Sequence, residues 1–211
     1  MMYVLAVSLL ARDYRDRLSL FLLVWTFCLA GFWITLRVGQ VYMPLLLAVV
    51  GAWLLLRRGS QVTAGLLIGL LVAIKPTFGL WPLLLLLAGH WRAGSSALVC
   101  ALAVSLVPLV GSGWGIFQQW IQASLSYPGL GLPGNASLIA LTSTFGAAWL
   151  GLGLSALLLA GLSTWALRGR PDALQVSRLG LVGALLLGPL SWVGYTTFVL
   201  PMYFERRWTC R

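Results

Sequence analysis

Long stretches without a single charge constrain this chain more than anything else in it. Leu18 to Leu36 carries none, Val41 to Leu56 carries none, and from Gly94 to Gln175 the only charges are Arg168, Arg170 and Asp172. Runs of about 18 or more apolar residues read as membrane helices. Composition agrees: hydrophobic residues make up 60% of the chain and charged residues only 9%, against roughly a quarter charged in a soluble domain. The sequence therefore predicts an all-α, polytopic transmembrane helical bundle, a single domain over residues 1–211.

A net charge of +10 invites a nucleic-acid reading, but the cations form no surface stripe. They sit in small clusters between the apolar blocks, as in the cytoplasmic loops of membrane proteins. The partner this charge implies is the lipid bilayer, not nucleic acid. Cys28, Cys100 and Cys210 have neither disulfide-framework nor metal spacing. The first apolar run, Met1 to Ala11, is short, lacks a basic lead and ends in Arg12, unlike a cleaved signal peptide.

Nine apolar segments follow from hydropathy: 2–11, 18–36, 41–56, 61–74, 77–89, 95–111, 147–167, 174–188 and 193–204. Some are too short to span alone, since a crossing takes about 20 residues, so eight to nine membrane segments are expected, several short or broken. Segment 2–11 looks like the tail of a helix. Segments 61–74 and 77–89 meet at Lys75-Pro76, where proline breaks the hydrogen-bond ladder. If every segment crosses in turn, Arg12, Arg15, Arg17, Arg57, Arg58, Arg92, Arg168, Arg170, Arg178, Arg206, Arg207 and Arg211 fall on one side. Only Arg37 and Lys75 fall on the other. That asymmetry marks the arginine side as cytoplasmic, in the plasma (inner) membrane, and it requires 61–74 and 77–89 to be separate passes. The long connection 112–146 is then non-cytoplasmic. Within it, Ile116, Phe117, Trp120 and Ile121 recur at helical spacing and predict a helix lying in the interface.

Lys75, the only lysine, sits at a helix break in an apolar region. Ionisable residues there are costly and are functional by default, although a lysine at a helix end also snorkels to headgroups. Arg37 and Gln40, at the other turn on that side, would complete a cationic pocket suited to a phosphate. Asn135 and Ser137 form a polar turn, equally readable as a helix cap. Ser191, Trp192 and Tyr195 form another, equally readable as an interfacial aromatic belt. Asp13, Asp16, Asp172, Glu205 and His90 all fall on the cytoplasmic side. The pocket thus has no residue suited to be a general base and no carboxylate or imidazole for a metal, so no residue is assigned as catalytic and no cofactor is expected.

Taken together these motifs resemble glycosyltransferase family 87, the alpha-mannosyltransferase-like group of the GT-C class. The resemblance rests on Gly39-Gln40, Ala64-Gly65 leading through Leu66–Ile74 to Lys75-Pro76, Gly134-Asn135-Ala-Ser137-Leu138, and Pro189-Leu-Ser191-Trp192 with Pro201 beyond. It implies transfer of a hexose, typically mannose, from a polyprenyl-phosphate-sugar donor to a glycan or glycolipid acceptor outside the cytoplasm, with inversion. Lys75 and Arg37 would then steady the departing phosphate. The family's catalytic aspartate lies in a first non-cytoplasmic loop near the N-terminus. This chain has no such loop, which implies an N-terminally incomplete copy, the C-terminal portion of a GT-C-like fold, inactive alone. The histidine that often follows the third motif is replaced by Val193, Gly194 and Tyr195. A transporter or flippase for a lipid-linked or anionic substrate and a non-catalytic membrane subunit are the competing readings.

Overall fold

A computed structural model of the chain describes residues 1–15, 20–38, 41–126, 134–188 and 190–205. The fold among these residues is carried by α1 (Met2–Asp13), α2 (Leu20–Cys28), α3 (Ala30–Val38), α4 (Tyr42–Arg57), α5 (Gln61–Ile74), α6 (Leu80–Leu87), α7 (Trp91–Ser112), α8 (Gly115–Ser126), α9 (Leu138–Ser143), α10 (Ala148–Gly169), α11 (Ala173–Leu187) and α12 (Leu200–Glu205). Two 3-10 segments, Pro76–Gly79 and Val193–Val199, lead into α6 and α12. No strand occurs among the described residues, and a single isolated bridge pairs Asn135 with Trp192. The all-helical expectation holds. A helix does form in the stretch read at Trp114–Gln122: α8 begins just after the exposed Trp114 and exposes Ile116, Trp120 and Ile121.

Two described helices, α7 and α10, are long and apolar enough to cross a membrane alone. The α2–α3 pair, bent by 43°, makes a third if it is one span. The remaining apolar helices are shorter, α4, α5 and α11 among them. The expectation of eight to nine membrane segments therefore corresponds to two or three full-length spans and a set of shorter apolar helices. Both long helices turn large apolar side chains outward, including Val99, Leu102 and Val110 on α7 and Trp149 and Leu157 on α10. A helix apolar on its outer face is at home against lipid.

The direction of the helices follows from two matched contacts. Ser96 Oγ donates to Val62 O and Cys100 Sγ to Leu66 O, both at 3.3 Å. Both partners advance by one turn in the same sense, so α5 and α7 are parallel. The chain between them must reverse twice, and α6 is the returning leg. Residues 61–74 and 77–89 thus form two legs that run in opposite directions rather than one bent rod. The same offset sets Lys75 level with Leu109, near the far end of α7. Close approach of α5 and α7 depends on small residues: Gly65 lies against Ser96 and Ala93 O, and Gly69 against Ala97 O and Cys100. Lipid offers no hydrophobic drive between helices, so small residues that let backbones meet carry the association. On the other side of α6, Trp81 is buried and donates from Nε1 to Ser177 Oγ of α11 at 2.8 Å.

The two ends of the bundle differ in chemistry. At one end Asp13 pairs with Arg57 and with Arg58, the latter at 2.8 Å. Burial there works against the carboxylate, but hydrogen bonds from Arg58 and Arg57 outweigh it and hold Asp13 below its ordinary range. The Arg57 guanidinium lies 4.0 Å over the Tyr14 ring, whose hydroxyl accepts from Trp53 Nε1 at 2.9 Å. Arg178 pairs with Glu205, Nε to Oε2 at 2.9 Å, and His90 Nε2 meets Pro171 O at 2.8 Å. At the opposite end Tyr42, Lys75 and Tyr195 meet. α4 runs from one cluster to the other through 16 residues, roughly 24 Å.

Candidate functional site

Lys75 closes α5 with an extended backbone, φ −143° and ψ 93°. The residue before a proline is pushed out of the helical region, so Lys75-Pro76 stops the helix where the sequence places the break. Pro76 then opens the 3-10 turn, where its missing N–H costs nothing. The Lys75 side chain is half-buried. Its Nζ lies 3.1 Å from the ring centroid of Tyr195 and 4.9 Å from that of Tyr42. Those rings meet edge-on at 5.0 Å, and Phe198 and Phe78 continue the aromatic cluster, their centroids 5.0 Å apart. The negative ring face holds a cation. Among the described residues no carboxylate pairs with Lys75: Asp13 and Glu205 are committed to arginines, and Asp172 caps α11 through Leu174 N and Gln175 N.

Two further motifs meet beside this lysine. Asn135 Oδ1 accepts from Ser191 N at 2.9 Å and from Ser137 N at 3.2 Å. Ala136 N donates to Ser191 O at 2.6 Å, and Val193 N to Gly134 O at 3.2 Å. Ser137 Oγ caps α9 by accepting from Ala140 N at 3.1 Å, and Ser191 Oγ donates to Leu185 O. Gly134 sits at φ +90°, a backbone that disfavours any side chain, so the strap formed by residues 134–137 against 191–193 begins on a glycine. A Cβ on Gly188 would lie 3.3 Å from both Thr77 and Ser191, which places the strap against the turn after Lys75. Ser137 and Ser191 are buried and hold the turn itself. Asn135→Ala is expected to leave Ser191 N without its acceptor. An unsatisfied buried donor costs about 1–3 kcal/mol, read as a lower Tm of the detergent-solubilised protein, with Asn135→Asp recovering part of the loss.

Tyr195 owes its position to Gly194, whose would-be Cβ lies 2.9 Å from Tyr42 and 3.2 Å from Thr35 Oγ1. That contact joins α3, the start of α4 and the Val193–Val199 turn. Arg37 is exposed in the last turn of α3, two residues beyond Thr35, and makes no ion pair with a described residue. Gln40 and Pro189 lie outside the described residues, as do residues 127–133. The structure thus brings Lys75, Tyr195, Trp192, Ser191, Asn135 and Ser137 into one region and leaves Arg37 at its edge. Tyr42, Phe78 and Phe198 were missed in the sequence, where nothing separates them from other apolar-segment aromatics.

The arrangement offers an ammonium at a helix break, walled by aromatic rings and, among the described residues, without a carboxylate partner. Such a group binds an anion and stabilises negative charge as it develops. The chain matches the family model of glycosyltransferase family 87 over residues 1–200. No curated protein and no solved structure matches it. The match covers nearly the whole helical bundle, including all three motifs that meet around Lys75. The chain therefore belongs to glycosyltransferase family 87, a family of membrane glycosyltransferases.

Proposed function

We propose that the Lys75 region binds the phosphate of a polyprenyl-phosphate-linked hexose, mannose being the first candidate, for transfer to a glycan or glycolipid acceptor on the non-cytoplasmic face of the inner membrane. One observation carries this reading. The lone lysine sits half-buried against Tyr195, without a described carboxylate partner, at the end of the bundle opposite the arginine clusters. The charge and geometry suit a departing lipid phosphate, with the ammonium lifting off the ring to meet it. Arg37 would extend the anion site at its rim, and Gln40, outside the described residues, is the further candidate for the phosphate. Asn135, Ser137, Ser191 and Trp192 would fix the wall facing the sugar. Transfer also needs a group to take the acceptor proton, and the described carboxylates all belong to the arginine end. That distribution favours a second reading, donor binding without transfer by this chain alone. Purified protein supplied with a radiolabelled polyprenyl-phosphate-mannose separates the two: label reaching an added acceptor supports transfer, and saturable donor binding without labelled product supports the second reading.

The orientation has its own check. Cysteine introduced in place of Thr144, exposed after α9, and in place of Ser60, exposed after α4, reports the two ends in a background lacking Cys28, Cys100 and Cys210. An impermeant maleimide added to intact cells is expected to label position 144 and not position 60. The reverse pattern would place the lysine end in the cytoplasm and remove the proposed donor site.

A further inference from the structure

The arginine end holds charge that the bundle does not use. Arg57, Arg58 and Arg178 are paired with carboxylates. Arg92, Arg168 and Arg170 are exposed and make no ion pair with a described residue. They come from separate parts of the chain, the start of α7 and the end of α10. The hydrogen bond between His90 Nε2 and Pro171 O, 2.8 Å, ties together the two turns that carry them. Asp172, two residues from Arg170, is turned to α11, its Oδ1 accepting from Leu174 N and Gln175 N at 2.9 Å.

Arg170 adds an independent sign. It is the one described non-glycine residue with positive φ, at φ 41° and ψ 52°. A left-handed helix end is ordinarily left to glycine, because a Cβ there crowds the following carbonyl oxygen. Backbone strain of this kind is retained where the side chain has a use. Beyond the turns, the outer faces of α7 and α10 expose Leu98, Val99, Leu157 and Leu159. α6 packs against both helices and exposes Leu83.

We infer that Arg92, Arg168 and Arg170 form a binding site for the phosphodiester headgroup of an anionic phospholipid, whose acyl chains lie along the outer faces of α7, α6 and α10. Guanidinium groups suit the planar, bidentate recognition of phosphate oxygens, and the apolar faces accept the chains that a free phosphate lacks. This site lies at the other end of the bundle from Lys75 and does not depend on the glycosyl-transfer reading.

The test uses the full chain purified in a neutral detergent, with dioleoyl-phosphatidylglycerol, dioleoyl-phosphatidylcholine and inorganic phosphate as separate probes. Native mass spectrometry counts retained lipid, and thermal unfolding reads stabilisation. The wild type is expected to retain phosphatidylglycerol in preference to phosphatidylcholine and to unfold at a higher temperature with it. Arg170→Gly relieves the left-handed backbone, so it is expected to fold at least as well while binding phosphatidylglycerol about fivefold more weakly. The triple variant Arg92→Gln, Arg168→Gln, Arg170→Gln is expected to lose the preference. Arg12→Gln, on α1 among α4 and α12, is expected to keep it. Equal retention of the two lipids by the wild type, an unchanged preference in folded Arg170→Gly, or an equal loss in Arg12→Gln would overturn the site. An inorganic phosphate shift as large as that from phosphatidylglycerol would reassign it to a free anion.

Discussion

Lys75→Met is expected to weaken donor binding strongly and slow sugar transfer by orders of magnitude while leaving the protein folded, inserted and somewhat more stable. The two effects have opposite signs because they come from the same charge. A half-buried ammonium without an ionic partner among the described residues costs several kcal/mol of lost hydration, and its contact with the Tyr195 ring returns up to about 2 kcal/mol. Methionine keeps the unbranched apolar stem that packs on Tyr195 and Tyr42 and fills the same gap. Removing the charge therefore raises Tm. It also removes the one described cation placed among the three motifs, and losing one electrostatic partner of developing charge lowers kcat by about two to three orders of magnitude. Lys75→Arg, which restores charge with a wider head, is expected to recover part of the binding. Full activity in a folded Lys75→Met protein would take the lysine out of the mechanism, and a collapse of its folding would make Lys75 a structural residue.

The second large effect concerns Gly69→Leu, which is expected to prevent recovery of a folded, monodisperse protein from the membrane. Even a methyl group at Gly69 would sit 2.6 Å from Cys100 Cβ and 3.0 Å from Ala101 N, and closer still to Ala97 O. Two of these neighbours are backbone atoms of α7, which cannot rotate away as a side chain does. The helices would have to separate, breaking the Ser96–Val62 and Cys100–Leu66 contacts. Overpacking of a tight interface costs about 1–3 kcal/mol and more where backbone must move. α5 also positions Lys75, so the damage reaches the site. Gly161→Ala gives the contrast. Nothing lies within 4 Å of a Cβ there, and alanine is the better helix former by about 1 kcal/mol, so yield and Tm are expected to hold or rise. Size-exclusion profiles of the two variants decide the matter.

Much of the fold is legible in the sequence because lipid imposes a simple rule on it. Uncharged blocks mark the helices, and the placement of arginines marks their ends. The break at Lys75-Pro76 is readable from proline chemistry, and the parallel course of α5 and α7 agrees with treating its two sides as separate passes. Helix lengths are less legible. Hydropathy merges 18–36 into one segment, whereas the backbone bends by 43° near Leu29, and no charge or proline marks that position. The site is legible only in pieces. Lysine, asparagine and serine stand out against an apolar background, but their pairing does not. Asn135 bonding to Ser191 spans 56 residues, and Tyr42 reaches Lys75 from a different helix. No local pattern announces either contact, since both arise from how helices and turns pack at one end of the bundle.

Photocrosslinking tests the central claim most directly. A polyprenyl phosphate carrying a diazirine next to the phosphate, bound to the wild-type protein and irradiated, is expected to leave its adduct on peptides containing residues 75–79 and 190–196, and to lose it in Lys75→Met. Adducts confined to the arginine end, or unchanged labelling in Lys75→Met, would contradict a donor site built around Lys75.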